Sequence, residues 1–184
     1  MLTESNMMQL GGDAPDFALP DTAGKIHRLG DFQASPVLVV AFICNHCPYV
    51  KHLKQALADF GRELMPQGMA MVAISSNDAE AYPADAPDKM AEDAAEFAYP
   101  FPYLYDESQS VARAYGAVCT PEFFVFDSQR RLVYRGQFDD TRPRSGGLPT
   151  GADLRAAVKS VLGGGKPDAS QKPSVGCSIK WKAA

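Results

Sequence analysis

Residues 37–60, VLVVAFICNHCPYVKHLKQALADF, change character halfway along. The first seven, VLVVAFI, are apolar and rich in β-branched side chains, with no polar position to mark a solvent face. Such a run predicts a central strand buried on both sides. From Pro48 onward Val50, Leu53, Leu57, Phe60 and then Leu64 recur every three or four positions, the stripe of an amphipathic helix. Cys44 and Cys47 stand between the two patterns, three positions apart. A cysteine at a strand-to-helix junction faces unpaired backbone N–H groups and the positive end of the helix dipole. That setting lowers a thiol pKa from about 8.5 toward roughly 3.5–7.5. Cys44 then reads as the exposed nucleophile, and Cys47, one turn later and more shielded, as the resolving thiol. A CxxC beside a βαβ pattern is a specific signal for redox chemistry.

Working outward, MAMVAIS (69–75) reads as a second buried strand and DKMAEDAAEFA (88–98) as a helix, with YPADAP between them as a loop. Gly61 and Pro66 mark where the first helix frays and stops. FPYLYD gives a short strand and SQSVARAYGA a short helix. PEFFVFD (121–127) and RLVYRG (131–136) form an antiparallel pair, and a helix that Asp153 helps to cap ends at GGG. Near the N-terminus, DFAL and KIHRL flank a turn with Gly24 at its tight position, which predicts a hairpin. This order predicts an α/β fold: a mixed central sheet flanked by helices, with an N-terminal β-hairpin and a C-terminal tail. One domain over 1–184 is expected, its tail from about 164 docked on the body.

Hydrophobic residues make up 46% of the 184 and charged ones 22%, as in ordinary globular chains. The net charge of −4 and the lack of a Lys/Arg block argue against nucleic acid or an anionic membrane as partner. The first residues show neither a basic region nor an apolar signal core, so a cytoplasmic protein is expected. There a close cysteine pair is catalytic or metal-binding more often than a structural staple.

The segments GDAPDFALPDTAGKIHRLGDF, VLVVAFICNHCPYV and CTPEFFVFD, with the ending PSVGCSIKWK, resemble the thioredoxin-like superfamily. Within it, the chain resembles the peroxiredoxin-like branch of the alkyl hydroperoxide reductase/thiol-specific antioxidant family. The resemblance implies a thioredoxin fold, and it implies that Pro121 is a cis-proline packing against the active-site sulfurs. The backbone of Thr120 would then be free to pair with an extended substrate as an added strand. Peroxiredoxins carry PxxxTxxC. Counted back from Cys44, the threonine and proline slots hold Ala41 and Val37; counted back from Cys47, they hold Cys44 and Val40. The thioredoxin carboxylate is missing from VLVVAFI, and Glu122 is a candidate replacement as proton acceptor.

Asn45 and His46 fill the positions that tune the redox potential, with the imidazole expected to stabilise the Cys44 thiolate. His52 is expected on a solvated helix face and His27 has no evident role. Cys119, two positions before Pro121, and Cys177 in the tail are accessory thiols, Cys177 being a candidate relay partner of Cys44. Phe42 and Tyr49 are candidates to line a substrate groove, and the FDDTRPR loop, with Asp139, Asp140, Arg142 and Arg144, to select a substrate.

The reading favours a thiol–disulfide oxidoreductase without cofactor. It would act on protein or low-molecular-weight thiols and disulfides, with a thioredoxin or glutathione system as reductant, and a homo-oligomer is compatible with it. One alternative is a thiol peroxidase, for which Arg135 would supply positive charge. Another is a copper- or zinc-binding protein using Cys44, Cys47 and His46 or His52.

Overall fold

The computed structural model describes residues 2–183. Its elements run in this order: β1 (Leu2–Glu4), β2 (Ala18–Pro20), β3 (Ile26–Arg28), β4 (Val37–Phe42), α1 (Pro48–Leu64), β5 (Met69–Ser75), α2 (Pro87–Glu96), β6 (Tyr103–Tyr105), α3 (Ser110–Ala114), β7 (Cys119–Thr120), β8 (Glu122–Phe126), β9 (Leu132–Gly136), α4 (Ala152–Leu162) and β10 (Val175–Ser178). Five strands make the main sheet in the order β6-β5-β4-β8-β9. β4 runs parallel to β5 and antiparallel to β8. This mixed sheet with its helices is the thioredoxin fold that the sequence implies.

β4 has no solvent face because both of its sides are core. Val37, Val39 and Ala41 point into one apolar cluster with Val50, Leu57 and Phe60 of α1. Leu38, Val40 and Phe42 point into the other with Phe17, Leu104, Tyr115 and Phe124. Phe42 therefore packs against Tyr115 and Phe124 and lines no substrate groove. The hairpin forms as expected, β2 against β3. Asp21 holds its turn by accepting the N–H groups of Ala23 and Lys25 and facing His27 across 2.8 Å, which gives that histidine a structural role.

Two features depart from the sequence reading. Gly61 does not fray α1, which continues to Leu64; it lies where the helix meets the 100–101 segment. A Cβ there would stand 2.7 Å from the Pro100 ring and 3.0 Å from Phe101. The tail also goes further than docking. β10 joins β1 and β7 in a second, three-stranded sheet that the sequence did not suggest. No helix among the described residues is long and apolar enough to cross a membrane.

Replacing Gly61 with Ala is expected to overpack this contact and destabilise the protein by about 1–3 kcal/mol. Chemical denaturation measures the loss. Unchanged stability would show that Pro100 and Phe101 yield without cost.

Candidate active site

Three residues after the end of β4, the chain turns sharply before α1 begins. The helix starts at Pro48 with Cys47 as its N-cap residue. The expectation that Cys44 occupies the helix N-terminus is thus corrected by one turn, and the dipole and free N–H groups belong to Cys47. Cys44 is also not exposed: Cys44 and Cys47 are 1% and 0% accessible.

The turn is held by a residue the sequence reading left in a loop. Asp85 is fully buried. One of its oxygens accepts the backbone N–H groups of Asn45 (2.8 Å) and His46 (3.2 Å). The other meets His46 Nδ1 (2.6 Å) and accepts from Asn77 Nδ2 (2.8 Å). A buried carboxylate needs such donors, since its charge is otherwise too costly to bury. Asn45 adds two further ties, donating to the Ala84 carbonyl at 2.9 Å and accepting from the Tyr103 hydroxyl at 3.0 Å. The dipeptide expected to tune the potential is thus first a scaffold. His46 stacks on Tyr82, with ring centroids 5.6 Å apart, and turns its Nδ1 to Asp85. No hydrogen bond joins it to Cys44. Nothing in local periodicity marks Asp85, because the turn it serves, Asn45 and His46, lies about forty positions earlier in the chain.

The Thr120–Pro121 bond is cis, as the resemblance implied. Thr120 meets both sulfurs: its Oγ1 lies 3.3 Å from Cys44 Sγ, and its carbonyl accepts from Cys47 Sγ at 3.3 Å. Its backbone is not open to a substrate, however, because it pairs with Cys177 of β10.

The two thiols differ sharply in proton affinity. Cys47 is pulled down to about 5. The hydrogen bond from Cys44 does most, burial opposes it, and the Cys177 thiol with the N–H groups of Val50 and Cys177 adds to the pull. Cys44 is pushed well above the ordinary thiol value, first by holding the proton it shares with Cys47, then by burial and the charge of Asp85. The Thr120 hydroxyl opposes that rise.

The other expected site residues are placed differently. Burial pushes Glu122 up to about 7, against the donors that surround it. Those donors are Val118 N–H, Cys119 N–H and the Cys119 thiol, so Glu122 serves β7 and takes no proton from the CxxC pair by direct contact. Cys119 is fully buried with its thiol raised, chiefly by burial. Cys177 is partly exposed, lies opposite Thr120 in the strand pair, and adds to the lowering of the Cys47 thiol. Arg135 donates to the Met8 carbonyl and the Gln171 side chain, pinning both terminal segments to β9, and brings no charge to the sulfurs.

His52 is half-buried against the Thr141 hydroxyl at 3.0 Å rather than solvated. Asp139 accepts from Thr141, Thr150 and Gly151, so it shapes its loop and the start of α4, a part expected of Asp153. Tyr49, His52, Pro121, Thr141, Arg142 and Val175 line a small cavity beside the cis-proline. Among the described residues, one group of side chains has metal-binding donor types close together: Cys44, His46 and Asp85, with ligand atoms within 4.8 Å of one another. All the Asp85 contacts described above are with N–H groups and the imidazole, so its oxygens are engaged in holding the turn.

Changing Asp85 to Asn removes the charge that raises Cys44 and weakens at least one charge-assisted hydrogen bond, worth about 1.5–3 kcal/mol. The expected outcome is lower stability together with Cys44 ionising at lower pH. Denaturation and pH-dependent thiolate absorbance in a Cys47→Ser background read the two effects. An unmoved Cys44 titration would contradict the role given to Asp85.

A crystal structure of a hypothetical protein from Sinorhizobium meliloti 1021 is 53% identical, with TM-score 0.97 over 99% of this chain and 100% of that one. An uncharacterized conserved protein from Geobacillus kaustophilus is 51% identical, with TM-score 0.97 over 100% and 98%. Thiol-disulfide oxidoreductase ResA of Geobacillus thermodenitrificans is 28% identical over 136 residues, covering 71% of this chain and 70% of the relative. The sequence pattern of the AhpC/TSA family matches residues 10–135, a span that holds Cys44, Cys47, Thr120 and Pro121 but stops short of Cys177. With most of its length matched, including both CxxC cysteines and the cis-proline, the chain belongs to the AhpC/TSA family.

Proposed function

We propose that Cys44 and Cys47 are the redox centre of a thiol–disulfide oxidoreductase. The observation that carries this reading is the pair itself: two sulfurs at the turn into α1, both within 3.3 Å of Thr120 beside the cis-proline, with the Cys47 thiol lowered and the Cys44 thiol raised. The thiolate is the attacking species in disulfide exchange. Cys47 Sγ attacks a substrate disulfide, forms a mixed disulfide and expels one substrate thiolate. Cys44 then gives up its proton and attacks Cys47 Sγ. The Cys44–Cys47 bond closes and the second substrate sulfur leaves as a thiolate. Run backwards, the same steps oxidise a substrate dithiol. This reading gives Cys47, the N-cap residue of α1, the attacking role that the sequence suggested for Cys44.

Family membership and the likeness to ResA support the reading. The substrates would be protein or small thiols and disulfides. In the cytoplasm a thioredoxin or glutathione system would supply electrons. Peroxidase action is disfavoured, because neither register of the cysteines supplies the threonine and proline of PxxxTxxC.

Two measurements test the proposal. Reduction of a small disulfide-bonded test protein is expected from the native chain and is expected to fall to background in Cys44→Ser and Cys47→Ser. Rapid hydrogen peroxide consumption without disulfide exchange would overturn the reading in favour of a peroxidase.

The second is the pH dependence of the couple. Cys47 is ionised above about 5 while Cys44 keeps its proton. Reducing the disulfide then takes up one proton with two electrons. The potential should fall by about 30 mV per pH unit at neutral pH, half the roughly 60 mV of a two-proton couple. The sign for stability follows. The ionised Cys47 stabilises the reduced fold fully above the ordinary thiol value of 9.0, and the gain is lost as pH drops through about 5. A slope near 60 mV per unit at neutral pH would show that both thiols keep their protons.

A further inference from the structure

An extended segment of this chain already lies along the backbone of Thr120. β10 runs antiparallel to β7, with Cys177 opposite Thr120 and Ser178 opposite Cys119. β1 covers its outer edge, Leu2 opposite Cys177. The approach is close: a Cβ at Gly176 would collide with the Thr120 carbonyl and stand 3.2 Å from Pro121 Cδ, so glycine lets the strand pass. Beyond it the chain is tied down. Lys180 N–H donates to Asn77 Oδ1 at 2.8 Å, and the Gln109 side chain bonds the Lys180 carbonyl and Lys182 N–H at 2.9 Å each. The tail thus stands where an extended substrate would pair, and it carries a thiol there. Cys177 and Cys47 meet at one residue: Cys177 pairs opposite Thr120, whose carbonyl accepts from Cys47 Sγ at 3.3 Å, and Cys177 packs against the cluster that holds Cys47. Cys177 is partly exposed, whereas both CxxC cysteines are buried.

We propose that Cys177 is a third redox thiol, an internal substrate presented by β10, which exchanges with the Cys44–Cys47 disulfide to give a Cys47–Cys177 disulfide and a free Cys44. The proposal rests on the dithiol reading above. The step balances without an outside oxidant. Cys177 loses its proton to water and its thiolate attacks Cys47 Sγ. The Cys44–Cys47 bond breaks, and Cys44 leaves with the electron pair and takes up a proton. The oxidation level is unchanged. The disulfide has moved from two buried sulfurs to a bond with one partly exposed end, where an external thiol can reach it.

The electrostatics are consistent with this direction. In the reduced protein, burial and then the Cys47 thiolate push Cys177 up to about 11, with Lys180 opposing. Once Cys47 is in a disulfide its charge is gone, and burial is left to compete with Lys180. Cys44, held well above the ordinary thiol value, returns readily to a neutral thiol. Cys119 faces Glu122 and stays outside the exchange.

The test is disulfide mapping after stoichiometric oxidation with diamide. In Cys44→Ser the expected product is an intrachain Cys47–Cys177 disulfide with Cys119 free. A folded Cys44→Ser protein that keeps Cys47 and Cys177 unlinked overturns the proposal. Should that variant fail to fold, mapping of the oxidised native chain decides: both linked pairs support the relay, and Cys44–Cys47 alone overturns it. Cys177→Ser separates the two readings. If its Cys44–Cys47 disulfide forms while Cys47–Cys177 is never found elsewhere, only the relay falls; if Cys44 and Cys47 stay unlinked even there, the dithiol reading falls with it.

Discussion

The buried carboxylate of Asp85 is the constraint on which the site depends. It gathers two backbone N–H groups from the turn between the cysteines, the imidazole of His46 and the amide of Asn77. These contacts hold residues 44–46 out of the helix, so that Cys47 becomes the capping residue. The same hub reaches the tail, because Asn77 also accepts the N–H of Lys180, three positions past Cys177. The turn, the thiolate position and the seat of the C-terminal strand are parts of one hydrogen-bonded arrangement. Its negative charge sits beside Cys44 and works against ionisation there.

Splitting the two proton affinities has a redox consequence. A thiolate stabilised in the reduced protein has no counterpart in the disulfide, so its stabilisation shifts the couple toward oxidising behaviour. The source of that shift differs from the one read in the sequence. His46 does not donate to a cysteine; it is turned to Asp85 and stacked on Tyr82. The pull on Cys47 comes from Cys44, from Cys177 and from the helix N–H of Val50.

The parts legible in the sequence are those with local signatures. The unbroken VLVVAFI run announced a strand buried on both faces, and the stripe from Val50 to Leu64 announced the helix packed over it. The CxxC located the sulfurs, while the cis Thr120–Pro121 bond was implied only by the family resemblance. What escaped was set by contacts distant in the chain. Asp85 looks like any acidic loop residue until Asn45 and His46, about forty positions earlier, point their N–H groups at it. The β1-β10-β7 sheet joins the two ends of the chain through strands of two to four residues, too short for a period to show. Cys44 was read as the exposed nucleophile at the strand-to-helix junction, whereas it is buried and Cys47 is the N-cap residue. The helix itself begins at Pro48, where its apolar stripe was read from the sequence, and Asp85 holds the turn ahead of it.

The central claim is that Cys47 carries the thiolate of the reduced pair. Ultraviolet thiolate absorbance followed against pH tests it directly in the native chain, Cys44→Ser and Cys47→Ser. The serine hydroxyl in Cys44→Ser can still donate to Cys47, so the low-pH ionisation near 5 expected of the native chain should persist there well below the ordinary thiol range. It should vanish in Cys47→Ser. Loss of that ionisation in Cys44→Ser, with its survival in Cys47→Ser, would place the thiolate on Cys44 and contradict the account.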